Sequence, residues 1–172
     1  MDFSLTEEQL LLQRTVREFA RQELLPRYRA WDRSGAFPAD LWRQMGTMGL
    51  TGARVPEDWG GQSLSAVTTG IAVEEVARGD FNLSYAVFMP ALVGEVLARF
   101  AGERVKRDWL APMARGEAII GLALTEPGAG SDAKMITCRA VRDGDEYVVS
   151  GEKSGISLAQ AADAMVLSPR PT

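Results

Sequence analysis

Leu122-Ala123-Leu124-Thr125-Glu126-Pro127-Gly128-Ala129-Gly130-Ser131-Asp132 is the stretch on which the reading of this chain turns. Leu122 to Leu124 read as the end of a buried strand. Pro127 fixes φ and removes one N–H. Gly128 and Gly130 admit positive φ and let a ligand come close to the backbone. Thr125 and Ser131 bracket the turn with hydroxyls that can donate or accept. Amides displayed by a Gly-rich turn form an anion-binding concavity, suited to a pyrophosphate or an electron-rich ring edge. Taken alone, the same string also reads as an ordinary polar loop, because short Gly-rich matches are weak signals.

Working outward, the pattern changes at Gly116. Upstream it is helical. Thr6 with Gln9 is a capping box. Leu12, Val16, Phe19, Ala20 and Leu24 recur on one helical face, and Pro26 should kink or end the helix. Arg14, Arg17 and Arg21 read as a solvated face. Ser34-Gly35 and Pro38 mark a loop before a helix over 39–48. Ser65 caps a helix over 66–78, ended by Gly79. A further helical stretch, 82–100, is interrupted at Pro90, and a short one covers 103–115. Glu74 and Glu75 are neighbours that point in different directions, so they read as solvated charges, not a catalytic pair. Downstream the spacing is that of strands: 118–124, 136–141, 147–150 and 164–167, with Asp143-Gly144-Asp145 as a hairpin turn. The class is α+β: an all-α helical bundle over 1–116 and an incomplete antiparallel β part over 117–172. The tail Ser168-Pro169-Arg170-Pro171-Thr172 shows no capping or packing logic.

Composition sets limits. The chain has 172 residues, 46% hydrophobic and 24% charged, as in ordinary globular domains. A net charge of -4 lacks the basic excess of a nucleic-acid binder. No run approaches about 18 consecutive apolar residues, so no membrane span is expected. Met1-Asp2-Phe3-Ser4 opens acidic and leads into a helix, without a targeting signal, which points to the cytoplasm. Cys138 is the single cysteine and reads as a small buried hydrophobe. There is no histidine, which excludes His-based triads within the chain and removes the commonest zinc ligand, so no metal site is expected.

The string L-T-E-P-G-A-G-S-D resembles the flavin-binding signature of the acyl-CoA dehydrogenases. Glu146-Tyr147-Val148-Val149-Ser150-Gly151-Glu152-Lys153 resembles the hairpin that follows it in that family. Val55-Pro56-Glu57-Asp58-Trp59-Gly60-Gly61 resembles the family's loop between its second and third helices. The resemblance runs from Phe3 to about Leu167 and covers the front half of a family member. It implies an N-terminal helical domain and a middle β-barrel that is begun and not finished; the family's C-terminal four-helix domain is absent.

The resemblance also implies chemistry. Family members are oxidoreductases of fatty acid and acyl-CoA metabolism, acting on CH–CH donors. A glutamate base removes the proton next to the thioester carbonyl, and FAD takes hydride from the next carbon. That base lies in the absent region, so no catalytic residue is assigned here. Leu122, Ala123, Leu124, Thr125, Gly130 and Ser131 would line FAD, with Thr125 bonded to the isoalloxazine edge. Ser131 would contact the pyrophosphate and approach the CoA thioester of the substrate. Gly155, Ile156 and Ser157 match a W-[IV]-[ST] segment, with Ser157 toward flavin N5. Tyr85, Phe88, Met89 and Leu92 fall where the family forms its acyl pocket, although aromatic and Met positions in helices read more simply as core. Gly155 stands for the usual tryptophan and Leu158 for the usual asparagine. Glu152-Lys153-Ser154-Gly155-Ile156-Ser157 with Ala162-Asp163-Ala164 resembles the branch acting on alicyclic or bulky acyl-CoAs. Gly155 then reads either as a widened pocket or as decay. The implied partners are an acyl-CoA thioester, electron-transfer flavoprotein and further copies of the chain in a homo-oligomer. The chain would be a dehydrogenase fragment, inactive by itself. The alternative is a non-catalytic helical or oligomerisation module, or a relic associating with another subunit.

Overall fold

Thr6 opens the first helix, α1 (Glu7–Phe19), in a computed structural model that describes residues 4–171. The Thr6 hydroxyl accepts from the Gln9 N–H at 3.2 Å, and the Gln9 side chain accepts from the Thr6 N–H at 3.0 Å. Two of the four orphan donors of the helix start are thereby satisfied. The acidic opening Met1-Asp2-Phe3 and Thr172 lie outside the described residues. The chain divides into two compact units, 1–118 and 119–172.

In the first unit α1 runs into a π-helical turn, Ala20–Leu24, and the helix stops before Pro26. Helical structure then resumes as α2 (Tyr28–Ser34), which ends on Gly35 in the left-handed region. The sequence reading assigned no helix to 28–34, only the loop marked by Ser34-Gly35 and Pro38; Pro26 breaks the first helix without preventing a second two residues later. α3 (Ala39–Thr47) follows, then α4 (Ala66–Gly79), whose N-cap Ser65 accepts from the Thr68 N–H at 3.1 Å. α5 (Tyr85–Phe100) comes next, then α6 (Glu103–Val105), a π-helical stretch Lys106–Leu110, and α7 (Ala111–Ala114). α1 packs on α4, α4 on α5, and α5 on α7. The core between them is Val16, Phe19, Leu24, Leu41, Met45, Val55, Val76, Val87, Val93, Leu110 and Met113.

Pro90 lies inside α5 and does not interrupt it. The missing N–H costs one backbone bond, which the buried face of the helix offsets. With the preceding 3-10 turn Asn82–Ser84, α5 makes a run long and apolar enough by length and composition to cross a membrane, although Glu95 and Arg99 keep it from being a continuous apolar stretch. Half of that run is buried within the unit, as in the core helix of a helical bundle. Gly46 and Gly116 permit a close approach: a Cβ on Gly116, which has φ +72, would lie 2.8 Å from the Gly46 Cα. α3 can therefore lie against the chain that leaves α7.

Glu75 overturns the solvated reading of the Glu74-Glu75 pair. Glu74 is exposed, but the Glu75 side chain is 0% exposed. Arg17 donates to both of its oxygens at 2.8 and 2.6 Å, and Arg78 lies 3.1 Å away. Arg17 is therefore not a free surface charge; it pins α1 to α4.

The second unit contains β1 (Ile120–Ala123), β2 (Arg139–Asp143), β3 (Glu146–Ser150), β4 (Ala164–Leu167) and β5 (Arg170–Pro171). They form two small sheets, β1-β4 and β3-β2-β5. Only β2 and β3 pair antiparallel, around the turn at Gly144-Asp145. β1 pairs with β4 in parallel, and so does β2 with β5. The expected all-antiparallel arrangement is thus corrected. The 40 residues between β1 and β4 bring the chain back to its starting end, as a parallel crossover requires. Asp163 fixes that register: its carboxylate accepts from the Ile119 N–H at 2.9 Å and its own N–H donates to the Ile119 carbonyl at 2.8 Å. The tail is ordered by pairing after all, since the Arg170 N–H donates to the Cys138 carbonyl at 2.7 Å.

Candidate functional site

β1 delivers the chain to the loop read above, and the loop closes on itself at once. The Glu126 N–H donates to the Ala129 carbonyl at 2.9 Å and the Ala129 N–H returns the bond at 3.1 Å. Pro127 and Gly128 occupy the turn between them, with the φ restriction of proline at its first corner. Asp132 then caps the short 3-10 turn Ala133–Met135 by accepting from the Lys134 N–H.

The Glu126 carboxylate is buried beneath this turn, its side chain 3% exposed. One oxygen accepts from the Thr137 N–H at 2.6 Å and the Thr137 hydroxyl at 2.8 Å. The other accepts from the Cys138 N–H at 2.9 Å and from Lys153 Nζ at 2.9 Å. Lys153 also donates to the carbonyls of Leu124 at 2.9 Å and Ser168 at 2.8 Å. The Lys153 ammonium, then the backbone and hydroxyl donors, hold the Glu126 pKa down to about 2 against the opposing effect of burial. Glu126 is a fixed anion with both oxygens occupied. It has no capacity to shuttle a proton near neutral pH.

The two candidate segments meet within the second unit. The Ser154 N–H donates to the Thr125 carbonyl at 2.9 Å, which lays 153–157 beside the loop. Leu122 and Leu124 are half-buried and Ala123 is buried, so they form the floor of this edge. Thr125, Gly130, Ser131, Gly155 and Ser157 are exposed, and Ile156 is half-buried. The hydroxyls of Thr125, Ser131 and Ser157 make no hydrogen bond to other described residues, nor do the amides of Gly128, Gly130 and Ser131. A Cβ on Gly128 or Gly130 would meet nothing within 4 Å, and neither residue has positive φ. Turn geometry therefore does not account for these glycines, contrary to the sequence reading. They leave an open cradle lined with free donors, and such donors fit an anionic or electron-rich group.

Gly155 has φ +63, again with open space around it. A residue with a Cβ is disfavoured there by about 1–2 kcal/mol, so backbone conformation accounts for the glycine without reference to pocket width. Leu158 also has φ +63 despite its side chain. Of the four residues at the acyl-pocket positions, Met89 is buried, Tyr85 is half-buried, and Phe88 and Leu92 are exposed. The simple core reading holds for Met89 alone. Cys138 is buried, as read. Glu126 and Lys153 were missed as a pair; they lie 27 residues apart, and only Glu126's place in the loop signature hinted at a role.

Two family models match the chain: "Acyl-CoA dehydrogenase, N-terminal domain" over residues 6–117 and "Acyl-CoA dehydrogenase, middle domain" over 121–172. The chain is 38% identical over 170 residues to the probable acyl-CoA dehydrogenase YngJ of Bacillus subtilis, covering 98% of this chain and 44% of that protein. The crystal structure of an acyl-CoA dehydrogenase from Geobacillus kaustophilus superposes with a TM-score of 0.90 at 32% identity, covering 99% of this chain and 45% of that one. An FAD complex of PigA superposes with a TM-score of 0.91 at 26% identity, covering 100% of this chain and 46% of the other. The chain spans less than half the length of the relatives it matches.

Proposed function

The chain belongs to the acyl-CoA dehydrogenase family, and we propose that it carries the flavin-facing part of an FAD-dependent acyl-CoA dehydrogenase. The observation that supports this reading is the open edge where free hydroxyls of Thr125, Ser131 and Ser157 meet the unpartnered amides of Gly128, Gly130 and Ser131. When bound, FAD supplies a two-electron acceptor for α,β-dehydrogenation of an acyl-CoA thioester. Thr125 and Ser157 would donate to the edge of the isoalloxazine ring, and Leu122 to Leu124 would exclude water beneath it. Gly130 would let the pyrophosphate approach the backbone. Ser131 would donate to the pyrophosphate and to the CoA side of the substrate.

Proton abstraction needs a carboxylate that is free to take a proton, and Glu126 is not one. The base is assigned to sequence that full-length relatives carry and these 172 residues do not include, so the isolated chain should not turn over any acyl-CoA. In the whole protein, electrons would pass to electron-transfer flavoprotein in the cytoplasm. The two small sheets would be the first strands of a barrel completed by further chain, and the assembly would be a homo-oligomer. The exposed apolar residues Phe88, Leu92, Val96 and Phe100 on α5 favour a second reading, a helical module that associates with another subunit.

Titration of FAD into the purified chain, followed by flavin fluorescence, separates the readings. Retained flavin is expected. Thr125→Ala and Ser131→Ala should each weaken binding roughly ten- to over a hundred-fold, the equivalent of about 1.5–3 kcal/mol for a hydrogen bond to a charged group. A colourless chain that associates through α5 and ignores FAD would favour the module. Turnover of an acyl-CoA by this chain with FAD and a dye acceptor would refute the assignment of the base.

A further inference from the structure

The Glu126–Lys153 pair touches the ends of four strands. Leu124 follows β1 and Ser168 follows β4; Thr137 and Cys138 precede β2, and Lys153 itself follows β3. It therefore lies where the two small sheets and the loop converge. Apart from the exchange of bonds between Ala129 and Glu126, residues 127–131 make no hydrogen bonds to the rest of the unit, whereas the Glu126 carboxylate makes four. The direction in which Gly128, Gly130 and Ser131 present their free amides is therefore inherited from residue 126. Likewise, the direction of 155–157 is inherited from Lys153 and the Ser154–Thr125 bond.

We propose that Glu126 and Lys153 are positioning residues: their buried pair sets the mutual orientation of segments 125–131 and 155–157, and so the geometry of the cofactor edge, without touching the cofactor. This rests on the flavin reading and deepens it. Lysine suits the role because its ammonium offers three donors in a compact head, and all three are used, two on the loop (the Leu124 carbonyl and Glu126) and one on the Ser168 carbonyl after β4. The β2–β3 ladder has its own five-pair register, so a lock on the loop is separable from general cement.

The test is NMR-detected amide exchange on the full 172-residue chain, with FAD titration in parallel, for wild type, Lys153→Met and Glu126→Gln. In Lys153→Met the amides of Glu126, Ala129 and Ser154 should exchange at least tenfold faster while those of the β2–β3 ladder keep their rates. FAD affinity should fall at least tenfold. Glu126→Gln, which keeps the volume and one acceptor, should show the same pattern and covers the case in which Lys153→Met does not fold. Unchanged loop exchange overturns the proposal, and so does equal acceleration across residues 119–171, which would make the pair general cement. If wild type itself binds no FAD, the flavin reading fails; loop-confined acceleration would still support the orienting role of the pair.

Discussion

Each unit buries a glutamate, and the two burials differ in what surrounds them. Glu75 sits on α4 in a unit whose fully buried apolar side chains include Val16, Leu24 and Val76, and its main partner Arg17 is 49% exposed. Glu126 sits under a loop where few apolar groups are buried: Ile119, Ile120, Ala123, Ala129, Cys138 and Ala140 are those of its unit. Every residue of β3 is exposed. Its partner Lys153 is 9% exposed. The helical unit has an apolar core to which an ion pair is added. In the β unit a desolvated ion pair takes the place that a core would occupy, and this is the arrangement in which removing one charge is most disruptive.

Apolar truncation should expose this contrast most strongly. Leu24→Ala, at a fully buried position, should cost about 2–5 kcal/mol. Val149→Ala, half-exposed on β3, should cost under about 1 kcal/mol. Urea unfolding followed by circular dichroism measures both, and equal costs would erase the distinction.

Acid should act on the β unit through Glu126. Its folded pKa lies near 2, below the ordinary carboxylate value of 4.5. The unfolded chain therefore binds more protons between those values, and falling pH favours unfolding. The contribution is fully present above about 4.5 and is lost as pH drops through 2. Thermal midpoints between pH 5 and pH 2 should fall less steeply in Glu126→Gln than in wild type. Equal slopes would mean that Glu126 does not carry the acid sensitivity.

The smallest expected effect concerns backbone strain. Leu158→Asn should stabilise by under about 1 kcal/mol, because asparagine tolerates the left-handed region better than leucine. A lower thermal midpoint would show that the half-buried leucine side chain outweighs its backbone.

Elements governed by local chemistry were legible in the sequence. The Thr6–Gln9 box, the Ser65 cap and the Gly144-Asp145 turn each act within a few residues, and each stands where its residues place it. The features that escaped depend on partners far along the chain. Arg17 and Glu75 are 58 residues apart, and nothing on either helix marks one for the other. The parallel pairing of β1 with β4 depends on a path that strand spacing does not encode. Phe88 and Leu92 show the same boundary: helical spacing says which residues share a face, and tertiary packing decides whether that face is covered. At the loop, the hydroxyls and open glycines were readable as residue types, whereas the lysine that orients them was not.

The β1–β4 register has a consequence for how this chain is made. Ile120 pairs with Ala164, 44 positions later. At a synthesis rate of about 5–20 residues per second, β1 emerges roughly 2–9 seconds before its partner exists. The β2–β3 hairpin, by contrast, can close within about 1–10 microseconds of its own completion. For those seconds Ile120 and Leu122 are an unpaired apolar strand on a nascent polypeptide, and this is the interval in which a chaperone would find the β unit.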